Sequence, residues 1–192
     1  LNRLAACQTR LADWTNAAET LSRYVAELSF GPALAAARFR LAESYRQMER
    51  LVPAINEYYR LVKGLTEEEA KYGATAEEKA ANRTLLEQAM FWKAYCYSRL
   101  REPAARVPAH QAKAAEDYAA FLATFPKSTL APNALSSMGV LLLILNRHAD
   151  AAKAYDRLAR DFPDSEQARN AVFARGTSLL EMGQKEQAVA AF

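Results

Sequence analysis

Apolar residues return along this chain at helical spacing. Leu135, Met138, Gly139 and Leu142 stand at i, i+3, i+4 and i+7, and Ala151, Tyr155 and Leu158 resume the rhythm further on. Those steps bring side chains to one face of a helix, so each run predicts an amphipathic α-helix with one buried side. Asn146 separates the two runs and is suited to closing the first helix, because Asn tolerates the left-handed backbone of a helix end. The local order is helix, tight turn, helix.

The unit recurs. Tyr118, Phe125-Pro126, Ser128, Ala131, Ala134 and Gly139 return as Tyr155, Phe162-Pro163, Ser165, Ala168, Ala171 and Gly176, each 37 residues on. The same offset carries Ala5, Trp14, Ala17, Leu21 and Tyr24 onto Ala42, Leu51, Ala54, Tyr58 and Leu61. A small residue holds a fixed place in the first helix of every unit: Ala5, Ala42, Ala94, Gly139 and Gly176. A small side chain there lets the two helices of a unit approach closely, and a larger one would push them apart. In the Phe-Pro-x-Ser turns, Pro126 and Pro163 end one helix and Ser128 or Ser165 is placed to cap near the start of the next.

The stride breaks in the third unit. Ala42 to Ala94 is 52 residues, 15 more than 37, and Ala94 to Gly139 is 45, an excess of 8. The first insertion, residues 66–83, holds two capping-box patterns, Thr66 to Glu69 and Thr75 to Glu78, with Gly73 between them. It predicts a short helix followed by an N-terminal extension of the next one. The second insertion, residues 101–110, carries Pro103 and Pro108 and predicts an extended loop containing His110. Either insertion is neutral loop growth or decorates an edge that takes part in binding.

Composition narrows the function. Apolar residues make up 51% of the 192, with only 6 Gly and 7 Pro. That favours helices over an all-β fold, where each hairpin needs turn residues. Basic and acidic residues number 25 and 22, without long like-charge runs or a basic stripe interleaved with aromatics. Nucleic acid is therefore not an expected partner. The longest apolar window, Val140 to Leu145, falls far short of the ~20 residues that span a bilayer, so direct membrane insertion is not expected either. Cys7 and Cys96 form no metal-ligand or disulfide spacing. Leu4-Ala5-Ala6-Cys7 has the look of a lipoprotein cleavage box but follows no apolar segment, so Cys7 is read as a small buried helix residue. The chain begins without Met and stops at Ala188-Val189-Ala190-Ala191-Phe192 inside an apparent helix, and is expected to be a piece of a longer protein.

Two histidines give no triad or metal set, and the phosphate-loop, His-Glu-x-x-His and Gly-x-Ser-x-Gly patterns do not occur. Glu67-Glu68-Glu69 and Glu77-Glu78 read as helix starts favoured by the N-terminal dipole. The chain is expected to be a non-enzyme without cofactor or metal. Phe91-Trp92 and Tyr95-Cys96-Tyr97 crowd the whole circumference of one helix. Some of these rings face the core and some a neighbour, the insertion or a binding surface.

Read together, Leu135, Met138-Gly139, Leu142, Asn146, His148, Ala151 and Tyr155 resemble the tetratricopeptide repeat family. So do Leu4-Ala5, Ala12-Asp13-Trp14, Ala17 and Leu21 in the first unit, and Gly176, Gly183, Ala188 and Phe192 in the fifth. The family stride is about 34 residues, and the longer turn here is similar to that of bacterial envelope repeat proteins. The resemblance implies an all-α, right-handed superhelical solenoid of helix-turn-helix repeats, one domain over 1–192. It would hold about four and a half units, at 1–28, 32–64, 76–124, 130–161 and an incomplete 167–192. His148 then occupies the aromatic position of a turn, a packing role. The first helix of each unit would line a concave groove. Its positions become Glu43, Arg46 and Gln47; Gln88, Phe91, Tyr95, Ser98 and Arg99; Asn133, Ser136 and Val140; Asn170, Phe173, Thr177 and Glu181. Amides there would pair with an extended backbone, and aromatics would anchor its side chains. The Lys/Asn clamp that some relatives place on a C-terminal carboxylate is missing. The implied function is a scaffold that holds a partner protein or peptide, in a bacterial envelope assembly, periplasmic or associated with the outer membrane. The alternatives are an accessory region of a larger multidomain enzyme or signalling protein, and an aromatic pocket for a small ligand near Phe91 and Tyr95; the alternative compartment is the cytoplasm.

Overall fold

A computed structural model describes residues 1–29, 31–67 and 75–191. Ten α-helices and no strand are found among the described residues. They fall into two compact units, Leu1–Leu100 and Arg101–Phe192. None of these helices is long and apolar enough to cross a membrane.

The first unit holds α1 (Asn2–Arg10), α2 (Trp14–Glu27), α3 (Pro32–Gln47), α4 (Leu51–Glu67) and α5 (Ala76–Arg99). Each packs on the next, and α3 also touches α5. Tyr58, Leu61, Ala42, Ala54, Ala89 and Cys96 are buried together at its centre. The second unit opens with a 3-10 turn, Ala104–Arg106. It continues as α6 (Val107–Thr124), α7 (Ala131–Ile144), α8 (His148–Asp161), α9 (Glu166–Glu181) and α10 (Lys185–Ala191). Its helices also pack in sequence, and α7 touches α9. Tyr118, Phe121, Leu122, Leu135, Tyr155 and Leu158 are almost fully buried there, each Leu or Phe contributing about 1.5–3 kcal/mol.

The turns within helix pairs share one design. α1–α2, α3–α4, α7–α8 and α9–α10 are each joined by three residues, and the middle one is left-handed: Ala12, Glu49, Asn146 and Gly183. In every case the left-handed residue donates its N–H to the carbonyl three back and its successor donates five back, as Asn146 to Leu143 and Arg147 to Leu142. These bonds satisfy carbonyls that the helix end would leave open. The α5–α6 connection breaks the pattern and runs through a cis Glu102–Pro103 peptide.

Helix starts follow local chemistry. Asp13 accepts from the Asn16 N–H and Ser165 from the Ala168 N–H, while Thr75 and Glu78 form a full capping box. Ser128 instead accepts from the Leu130 N–H and its carbonyl from that of Ala131. Gly139 is buried against the Tyr155 ring: a Cβ built on it would lie 2.5 Å from Tyr155 Cζ.

Three expectations need correction. Thr66 and Glu67 do not start a helix; they finish α4, and the Thr66 hydroxyl donates back to the Val62 and Lys63 carbonyls. The rest of that first box, with Gly73 and the short helix, lies outside the described residues. The 101–110 segment is not an extended loop throughout. α6 begins at Val107 with Pro108 in its first turn, where the missing N–H costs nothing, and His110 is helical. Cys7 is exposed and Ala5 buried, because two residues along α1 rotate a side chain by about 200°.

Candidate functional site

Two helix faces carry the candidate groove positions, one in each unit. In the first unit, Glu43, Arg46 and Gln47 lie on α3 and Gln88, Phe91, Tyr95, Ser98 and Arg99 on α5. Most of this set is engaged internally. The Arg46 guanidinium grips Glu43 in a fork, Nε to Oε1 at 2.9 Å and Nη2 to Oε2 at 2.6 Å, and stacks 4.1 Å from the Trp92 ring centroid. The fully buried Tyr58 donates its hydroxyl to the same carboxylate. Burial, reinforced by the Glu43 charge, pushes the Tyr58 phenol well above its usual range. The bond to Glu43 raises the Arg46 pKa further, against the opposing effect of burial. Cys96, buried beside this group, is pushed up to about 12 by desolvation.

The aromatic crowd on α5 resolves into packing. Phe91 is buried, and Phe91 and Tyr95 both meet Trp92 edge to face, at 5.1 and 5.4 Å between centroids. Trp92, Tyr95 and Tyr97 pack on the unit's core. The Ser98 hydroxyl returns to the Tyr95 carbonyl. Gln47 and Arg99 are exposed, and Arg99 makes only a long contact to Glu49 at 3.8 Å. Sequence reasoning missed Tyr58 and Trp92 as partners of Arg46, since only the packing of three helices brings them together.

The second unit presents a different face. Asn133, Ser136 and Val140 on α7 and Asn170, Phe173, Thr177 and Glu181 on α9 step by three or four residues, so each set forms a stripe. The two helices touch, and Gln167 at the start of α9 donates to Asn133 at 2.7 Å, linking the stripes at one end. Ile144 extends the α7 stripe by one turn and was not among the residues expected there; the i+4 step from Val140 is the signal that finds it. Phe173 is 72% exposed, Ile144 54% and Val140 47%, and Leu180 on α9 is also exposed. The opposite sides of these helices are filled by Leu135, Gly139, Leu142, Ala171 and Leu179, all buried. Val140, Ile144 and Phe173 give this face its apolar part, and Asn133, Ser136, Asn170, Thr177 and Glu181 its polar part.

Two stretches, residues 88–128 and 134–165, match the sequence profile described as Tetratricopeptide repeat. The likeness to tetratricopeptide repeats in sequence lies within residues 88–165. Such repeats are generally non-catalytic scaffolds that mediate protein–protein interaction. Among solved structures, the chain is similar to the nearly identical TPR-like repeats of a kinesin light chain from Podosopora anserina. That likeness covers 98% of this chain and 88% of the other at 13% identity, with a TM-score of 0.64. A single-substitution variant of the same protein gives equal coverage and identity and a TM-score of 0.65. At such identity the likeness establishes the fold, an all-α solenoid of stacked repeats. No curated protein matches the chain in sequence.

Proposed function

We propose that the α7–α9 face of the second unit holds an extended segment of a partner protein. Apolar side chains of the segment would seat on Val140, Ile144 and Phe173, and its backbone would meet the Asn133 and Asn170 amides. The observation that supports this is the pair of exposed apolar stripes on helices whose other sides are already committed to the core. Covering the exposed part of Phe173 with a partner would recover part of the ~1.5–3 kcal/mol of full burial. The α3–α5 face is the weaker candidate, because Arg46, Glu43 and Phe91 are engaged within the unit. The compartment we propose is the bacterial envelope, on the likeness of the Phe-Pro-x-Ser turns at 125–128 and 162–165 to those of envelope repeat proteins.

The test is affinity capture from the source organism with the wild-type chain and with Val140→Glu/Phe173→Glu. Loss of one specific protein from the variant's captured set, with Arg99→Glu retaining it, is the expected outcome. Identical captured sets for the wild type and the double variant would reject the face. Cell fractionation of the native protein tests the compartment, and a cytoplasmic pool alone would reject the envelope.

A further inference from the structure

The second unit contains a recess of about 330 Å³ between α6 and α8, floored by α7. Ala115 and Ala119 of α6, Leu135, Met138 and Leu142 of α7, and Ala154 of α8 give it an apolar lining. Equivalent places in two other repeats are spanned by the chain's own polar pairs. One repeat later, Ala119 and Met138 correspond to Asp156 and Arg175, which form an ion pair. In the first unit, 97 residues earlier, Leu135 and Ala154 correspond to Arg38 and Glu57, paired at 3.1 Å. Ala119 and Leu142 correspond there to Ser22 and Tyr45, whose hydroxyls share a hydrogen bond of 3.2 Å. Three cross-helix polar pairs are thus replaced at this one place by short or apolar side chains, and what remains is a hollow.

The rim is charged. Arg147, Asp150, Lys153 and Arg157 stand on its α8 side and Glu116 on its α6 side. Asp150 is covered by Arg147 at 2.7 Å, which holds its carboxyl below the usual range, and Glu116 is met by Lys113 at 3.5 Å. Arg157 is fixed on Asp161 and on the Leu122 carbonyl. Lys153, 78% exposed, holds only a 3.4 Å contact to Asp150. The least engaged cation at the rim is therefore Lys153.

We propose that this recess binds a small amphipathic anion, an aryl or alkyl carboxylate. Its apolar body would lie against Ala119 and Met138, over the buried Leu135 and Leu142, and its carboxylate would face Lys153. The volume stands at the lower end of the ~300–1,000 Å³ that small-molecule sites occupy. The site is distinct from the α7–α9 face and does not depend on partner binding there.

The probe is 4-phenylbutyrate, with 4-phenylbutan-1-ol as its uncharged counterpart, titrated into the whole chain labelled at its methionine methyls. A ligand of this size predicts a Kd on the order of 0.1–1 mM and a saturable shift of the Met138 methyl signal. Ala119→Asp/Met138→Arg, which installs the pair found one repeat later, should weaken binding at least tenfold. Lys153→Glu should weaken the carboxylate at least fivefold and leave the alcohol unchanged. If the closing variant loses its helical circular dichroism, the Met138 signal and Lys153→Glu decide the question. Undiminished affinity in a folded closing variant, an unmoved Met138 methyl, or equal effects of Lys153→Glu on acid and alcohol would each overturn the site.

Discussion

Replacing Gly139 by Ala tests how the repeat is assembled. The added methyl would stand 2.5 Å from Tyr155 Cζ and 2.6 Å from Cε1, well inside contact distance. Tyr155 is almost fully buried and cannot move away freely. Overpacking of this kind costs about 1–3 kcal/mol. Against it stands the helix propensity gained on leaving Gly, about 0.8–1.0 kcal/mol. The difference is a net loss of up to about 2 kcal/mol, or up to roughly 10 °C in Tm for a unit near 100 residues. Urea unfolding followed by circular dichroism measures it. The decisive control is the same substitution in a Tyr155→Leu background. With the ring gone, Gly139→Ala should become neutral or stabilising by up to about 1 kcal/mol, a coupling of roughly 2 kcal/mol between the two positions. If Gly139→Ala leaves the wild-type chain as stable or more so, the close approach of α7 and α8 does not require a glycine and the packing argument fails.

Thiol labelling separates the two cysteines: iodoacetamide should modify exposed Cys7 within minutes. Cys96, buried and pushed up to about 12, should react only on unfolding; comparable rates in the native chain would contradict its burial. Tyr58 predicts an alkaline weakness. Its folded pKa lies above the unfolded value of about 10, so its contribution is complete below pH 10 and is lost as pH rises further, by up to about 1.4 kcal/mol per pH unit. Tyr58→Phe should flatten the fall in stability between pH 10 and 11.5, although Tyr155, itself pushed up to about 12 by burial, leaves a residual slope. Ala12→Gly should raise stability by about 0.5 kcal/mol. It relieves a left-handed residue costing about 1–2 kcal/mol and offsets that with the greater chain entropy of glycine; a drop in the urea midpoint would contradict the left-handed turn.

The sequence and the structure meet where short-range chemistry decides. The repeat pattern placed the small residues Ala5, Ala42, Ala94, Gly139 and Gly176 in the core, and all five are buried. Asn146 announced a left-handed turn because its short amide side chain tolerates that backbone. Ala12 and Glu49 adopt the same conformation without any local preference for it, since the packing of the flanking helices imposes it. Thr66 shows the converse: its capping box is locally sound, but α4 packs on α5 through Leu65 and continues past it. At the candidate site the α7 and α9 positions follow from the family resemblance, and their i, i+3, i+4 steps put each set on one side of its helix. The fate of Arg46 was not, because Tyr58 and Trp92 are 12 and 46 residues away and meet it only in the folded unit.

The most direct measurement places a photo-reactive phenylalanine at single positions of the native protein in its own cells. Crosslinking from positions 140 and 173 to one common partner, with none from Lys153 or Ala159 on α8, is what a binding face on α7 and α9 predicts. A partner captured equally from α8, or silence at position 173 with capture elsewhere, would contradict it.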